Sequence, residues 1–111
     1  MAYDEYLTER INVILEDMNL HNLIEKSMFG GVGFMLSGNM ACGVYQQYLI
    51  VRVGPHAYQD ALAKPGSKVF DITGRPMTGW VMVSGSAIAD DGSLREWVEQ
   101  GVEFAKSLPQ K

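Results

Sequence analysis

The sequence predicts an α+β domain in which an antiparallel meander sheet is flanked by helices, giving a two-layer architecture. Amphipathic helical patterns lie near both ends of the chain. Strand and turn patterns stand together between them, so the helices are segregated from the meander, as in α+β folds. The length of 111 residues favours one domain over 1–111.

The first predicted element is an amphipathic helix from Asp4 to Met18. Its apolar residues recur at helical spacing and form one stripe: Leu7, Ile11, Ile14, Leu15 and Met18. Polar residues at 19–22 end it. The segment Leu23–Met28 that follows allows either a short first strand or an irregular entry to the sheet.

A β-hairpin is predicted over residues 31–45. Val32, Phe34 and Leu36 alternate with residues 33, 35 and 37, which are Gly, Met and Ser. Gly38-Asn39 provides residues that tolerate the positive φ of a two-residue turn. The alternation resumes on the second strand with Met40, Cys42 and Val44, which predicts that these three side chains share a face.

After a turn at Gln46-Gln47 the sequence predicts one strand, a short helix and then one or two further strands. Tyr48–Val53 is rich in β-branched and aromatic residues and predicts a strand. Pro55 can open a short helix, because its missing N–H has no partner in a first helical turn. Val69–Ile72 is a weak strand pattern, and Met77–Ser84 is a stronger one.

The last predicted element is a helix that begins near Ser93. Ser93-Leu94-Arg95-Glu96 matches the capping-box pattern, and an apolar stripe runs from Leu94 to Leu108. Pro109 ends it. Asp90-Asp91 directly precede this helix, where capping and the positive end of the helix explain two adjacent carboxylates.

Both alternating sets of side chains in the predicted strands are apolar. Helices in a chain of this size cover one sheet face, so we expect the other face to remain partly apolar and to bind a protein partner. A homodimer is the simplest such complex. The predicted partner-binding residues are Phe34, Tyr48, Ile50 and Arg52.

Arg52 interrupts an apolar strand and has two interpretations. A charge inside a sheet is paired or reaches solvent. It could form an ion pair with Asp71 or Asp60, or it could bind a partner beside Tyr48 on the uncovered face.

The charge and composition argue against several classes of protein. The net charge of −4 and the pI near 5.0 make direct nucleic-acid binding unfavourable. No apolar run approaches the roughly 20 residues of a membrane helix, and the acidic start is unlike a signal peptide. The single Cys42 excludes an internal disulfide and fits a reducing compartment, so we expect a cytoplasmic protein.

No motif in the sequence predicts catalysis, a cofactor or a metal. The glycine-rich segment lacks the Gly-Lys of a phosphate loop. Cys42 and His56 are the only thiol and base from which a nucleophilic site could be built, and Cys42 is expected to be buried. We therefore expect a protein that is not an enzyme. The alternatives are a nucleic-acid-binding regulator and an enzyme whose site involves Cys42, His56 and Arg52.

Several segments together resemble the TfoX N-terminal domain family. They are Met28-Phe29-Gly30-Gly31, Gly33-Phe34-Met35, Gly38-Asn39-Met40, residues 49–54 and residues 74–81. The resemblance implies a small α+β domain related in layout to secretion-chaperone-like folds, and no established catalytic residues. The family takes its name from regulators of bacterial natural competence, whose longer members carry a second, helical domain. The end of the sequence at Lys111 leads us to expect the N-terminal domain alone.

Overall fold

The protein folds as a six-stranded antiparallel sheet with helices against one face. The computed structural model describes residues 3–28, 30–71 and 74–110. In chain order the elements are α1 (Glu5–Asp17), β1 (Leu23–Met28), β2 (Gly31–Leu36), β3 (Asn39–Tyr45), β4 (Tyr48–Arg52), α2 (Tyr58–Leu62), β5 (Ser67–Val69), β6 (Trp80–Val83), a 3₁₀ helix (Gly85–Ile88) and α3 (Asp91–Lys106). The strand order is β1-β2-β3-β4-β6-β5. The predicted α+β class with an antiparallel sheet is confirmed.

Both long helices begin at an aspartate whose carboxylate accepts a backbone N–H. Asp4 Oδ1 accepts from Leu7 at 3.0 Å and sets the start of α1 as predicted. Asp90 Oδ2 accepts from Ser93 at 2.8 Å and begins α3. The capping box predicted at Ser93 is therefore wrong, because Asp90 caps the helix three residues earlier.

The β2–β3 hairpin turns one residue earlier than predicted. Ser37 and Gly38 form the two-residue loop with φ of 51° and 86°, whereas Asn39 already belongs to β3. Positive φ at both loop positions matches the turn that suits the twist of a hairpin. Asn39 is buried, and its Nδ2 donates to the Pro109 carbonyl at 2.9 Å. This contact explains why an amide, and not a turn glycine, occupies position 39.

A β-bulge in β3 changes which of its side chains share a face of the sheet. Phe34 pairs with Cys42 while Met35 pairs with Met40, which leaves Ala41 as the extra residue. Met40 therefore lies on the opposite face from Cys42 and Val44, not beside them as predicted. The bulge also receives α3, because a side chain at Gly101 would collide with the Ala41 carbonyl oxygen.

The other differences concern element limits. Leu23–Met28 is a strand, the first of the two alternatives. The helix predicted from Pro55 begins only at Tyr58. The strand predicted at Val69–Ile72 lies earlier, at Ser67–Val69, and Ile72 is outside the described residues. The 3₁₀ helix was not predicted.

The main core lies between the helices and one face of the sheet. Side chains of α1 and α3, such as Ile11, Leu15 and Val98, pack on inward side chains of the strands, such as Phe34 and Val51. All five are at most 1% exposed. Each side chain of this size contributes about 1.5–3 kcal/mol by leaving water. We call the face that these helices do not cover the outer face.

Candidate functional site

A second apolar cluster covers the middle of the outer face. Ile50, Phe70 and Met82 form its buried part. Five half-buried side chains surround them: Met40, Tyr45, Tyr48, Met77 and Trp80. We call these eight residues the outer cluster.

Described residues between β5 and β6 cover part of this cluster. They include Phe70 and Met77, and the Met77 N–H donates to the Phe70 carbonyl at 3.0 Å. The Phe70 ring lies 6.1 Å from the Trp80 ring, centroid to centroid. These loop residues cover much of the apolar surface. The side chains of the outer cluster that remain uncovered reach solvent.

The structure separates the four predicted partner-binding residues. Tyr48, Ile50 and Arg52 alternate along β4 toward the outer face, as the period of two in a strand requires. Phe34 is 1% exposed in the helix-side core and has no surface to offer a partner. Ile50 is 2% exposed, so it supports the outer cluster from beneath. Tyr48 and Arg52 are the two that remain accessible.

Arg52 lies between two aromatic rings. Its guanidinium carbon is 5.2 Å from the Trp80 ring centroid and 5.4 Å from that of Phe104 on α3. Such cation–π contacts stabilise a partly buried cation. No ion pair among residues 3–28, 30–71 and 74–110 includes Arg52. The predicted pairing with Asp71 or Asp60 is therefore replaced by stacking at the end of the sheet.

The charged side chains that the strands place on the outer face are all basic. They are Lys26, Arg52 and Lys68, which pair across the sheet with Gly33, Trp80 and Met82. Lys68 Nζ lies 4.5 Å from the Tyr48 ring centroid and 3.2 Å from its hydroxyl oxygen. The one acidic strand residue, Glu25, lies on the helix side and accepts from Asn12. The strands therefore contribute only basic charges to the outer face, on a chain of net charge −4.

The thiol on which a catalytic alternative depended is inaccessible. Cys42 is fully buried in the helix-side core, and burial raises the pKa of its thiol to about 12. It is therefore protonated at neutral pH and is a poor nucleophile. His56 is exposed in the loop after β4. Within the described residues there is also no group of three or more metal-ligating side chains.

Sequence reasoning did not identify Phe70, Met77 and Trp80 as members of a surface cluster. Residues 69–72 and 77–84 were predicted only as strands. The sequence carries a signal only for covered space above the strands: Gly33 and Gly43 stand where the methyl groups of Met28 and Met40 lie over the sheet. Glycines on one face of neighbouring strands indicate that other side chains occupy that space.

None of the helices in the described part of the chain is both long and apolar enough to span a bilayer. No curated protein and no solved structure matches the chain. The sequence model of the TfoX N-terminal domain family, in contrast, matches residues 16–105, which run from the last two residues of α1 almost to the end of α3. With this match, and with the antiparallel sheet and flanking helices described above, the chain belongs to the TfoX N-terminal domain family.

Proposed function

We propose that this chain is a non-enzymatic regulatory or adaptor domain that acts through protein–protein contacts made by its outer face. The observation that supports this proposal is the outer cluster, where aromatic and methionine side chains reach solvent on a sheet face without helices. Aromatic residues, methionine and arginine are enriched in protein interfaces, and apolar surface patches mark such sites. The family relationship suggests a role in competence or transcription regulation, and the single Cys42 suggests the cytoplasm.

The charge of the outer face favours an acidic protein partner. Arg52 and Lys68 lie on either side of the outer cluster and stack on its rings, so their positive ends surround an apolar surface. Complementary charge accelerates encounter and selects among partners. The partner would present apolar side chains with acidic residues around them.

A homodimer, expected from the sequence, is the alternative occupant of this face. Two copies joined face to face by a two-fold axis would bring the same basic residues toward each other. Since like charges oppose such an approach, we favour a different, acidic protein. Sedimentation at micromolar concentration separates the two: a dimer that Tyr48→Glu dissociates would support the homodimer.

The proposal is tested by comparing variants in capture from native lysate, with bound proteins identified by mass spectrometry. Tyr48→Glu should abolish capture of the specific partner, whereas Val13→Glu on α1 should retain it, since Val13 is 65% exposed on the helix side. Arg52→Met and Lys68→Met should each reduce capture and its dependence on salt. Thermal melts confirm that all variants fold. Partner capture that Tyr48→Glu leaves unchanged would refute a role for the outer face.

A further inference from the structure

A cavity of about 160 Å³ lies beneath the outer cluster. Met28, Met40 and Met77 contribute flexible walls, Phe70 and Trp80 an aromatic wall, and Ile50 part of the base. The three methionines and Trp80 are half-buried, so the walls extend from the sheet to solvent and a small molecule can enter between them.

Two glycines at or near the base of this space bring no side chain to the outer face. Gly31 lines the cavity, and a Cβ there would collide with the Val44 carbonyl oxygen. At Gly43 a Cβ would lie 2.5 Å from the Val32 carbonyl oxygen and 2.6 Å from Met40 Cε. Neither position carries positive φ, so turn geometry does not explain the glycines. Backbone oxygens of the neighbouring strand leave no room for a side chain at either position, so this part of the outer face is bare backbone.

The lining selects an uncharged, apolar occupant. Among the described lining residues, only Tyr45 and Trp80 carry polar N or O side-chain atoms, and none carries a charge. An ion would lose its hydration there without gaining a partner. A water needs two to four polar partners, whereas an apolar cavity of about 150 Å³ accommodates benzene. Methionine side chains can adjust to a ring and contact its edge through sulfur.

We propose that this cavity is a binding site for a small, uncharged apolar molecule of about the size of one aromatic ring. The occupant would lie against Phe70 and Trp80 and contact the methyl groups of Met28, Met40 and Met77. The site shares Met40, Met77 and Trp80 with the outer cluster, but its ligand needs no protein partner, so the two proposals can be tested independently.

The test uses the full chain labelled with ¹³C at the methionine methyl groups and follows their NMR resonances during titration with benzene. The Met28, Met40 and Met77 resonances should shift together and saturate with a common midpoint. Met18, which packs against the helix-side core, should not shift and serves as the internal control. Benzoate, the matched charged ring, should cause no shift at the same concentrations.

A second test uses a substitution in the sheet that should fill the cavity. At Gly33 a Cβ meets only flexible ends, Met28 Cε at 3.0 Å and Met40 Cε at 3.4 Å, so Gly33→Val should push both methyl groups into the cavity. We expect benzene affinity to fall at least tenfold. Gly92→Val adds the same side chain at an exposed position of α3 and should leave the affinity unchanged.

Three outcomes would overturn the proposal, and the first two are measured on the unmodified chain. One is a shift that grows linearly without saturation or affects Met18 equally. Another is benzoate binding as well as benzene. The third is a set of methyl shifts that only the protein partner produces, which would assign the cavity to a partner side chain and leave the proposed function intact. Failure of partner capture with saturable benzene binding would refute the proposed function alone.

Discussion

At the scale of single residues, the glycines of β2 and β3 differ in what surrounds them. Gly33 faces the movable ends of two methionines, whereas Gly43 faces the Val32 carbonyl oxygen in the neighbouring strand. A methionine end can change rotamer, but a backbone oxygen moves only with the sheet. The same substitution should therefore have opposite consequences at two positions that pair directly with each other.

We predict that Gly33→Ala is neutral or stabilising and that Gly43→Ala is destabilising. Alanine restricts the unfolded chain and contributes about 0.4–1 kcal/mol where its backbone geometry is compatible. At position 43 the added methyl overpacks the sheet, and the free energy of unfolding should fall by about 1–3 kcal/mol. Urea denaturation of both variants measures the difference. Equal destabilisation would show that the two glycines experience the same constraint.

Because the Cys42 thiol is buried, we predict that the free energy of unfolding depends on pH in the alkaline range. Burial raises the pKa of this thiol from 9.0 to about 12, so the folded state holds its proton more tightly than the unfolded state. The stability from this group is complete below pH 9 and is lost as the pH rises toward about 12.

The test compares the wild type with Cys42→Ala from pH 7 to 11 by urea denaturation. Above pH 9 the wild type should lose up to about 1.4 kcal/mol of unfolding free energy per pH unit more than the variant. Parallel curves would show that the thiol does not couple to folding. A thiol reagent should react with folded Cys42 only through unfolding.

At the scale of elements, α3 connects the layers of the fold. Its apolar side packs on the sheet at the bulge near Ala41, and Phe104 near its end stacks on Arg52. At its start, Arg10 of α1 donates to the Ile88 carbonyl at 2.9 Å and to Asp91 Oδ1 at 3.2 Å. The beginning of α3 is therefore held by a cap and by a contact from another helix.

We predict that Asp90→Ala lowers the melting temperature more than Ser93→Ala does. The Ser93 backbone N–H holds the pKa of the Asp90 carboxyl below its ordinary value of 3.8. The cap therefore stabilises the helix fully above that value and loses its contribution as the pH falls through the lowered folded-state pKa.

Asp90→Asn is the matched control, since asparagine caps helices without titrating at this pH. Its stability should be less sensitive to acid than that of the wild type. Thermal melts from pH 2 to 7 measure all three variants. A larger loss in Ser93→Ala would support the capping box in place of the observed cap.

At the scale of the whole molecule, the charges are divided between the two sides of the sheet. The helices carry most of the acidic residues, and the strands place only basic side chains on the outer face. Two of these, Arg52 and Lys68, also contact aromatic rings within the protein. Three basic residues on one face are few compared with the phosphate contacts of a typical DNA-binding surface.

We predict weak binding to duplex DNA at physiological salt. A fluorescence-anisotropy titration at about 0.15 M salt should show no saturable binding in the micromolar range, and the salt dependence at lower ionic strength should be shallow. Tight binding with a steep salt slope would favour the nucleic-acid-binding regulator. The triple variant with Lys26, Arg52 and Lys68 replaced by Met would then show whether the outer face is responsible.

The sequence by itself determined the fold class and the location of most elements. Helical periodicity defined α1 and α3, and β-branched and aromatic residues defined β4, because these patterns reflect which side chains each element buries. Apolar residues in both alternating sets also predicted a second apolar face. These features depend on spacing along the chain, which the sequence states directly.

The tertiary structure decided which residues share a surface. One extra residue at Ala41 moved Met40 to the outer face, and the strand pairing placed Phe34 in the core and Tyr48 outside. Arg52 contacts two aromatic rings, one from β6 and one from α3, and does not pair with a carboxylate of the described residues. Phe70 and Met77 reached the outer cluster through a loop with no periodic pattern. Register, bulges and loop paths depend on contacts between residues distant in sequence, so local spacing could not predict them.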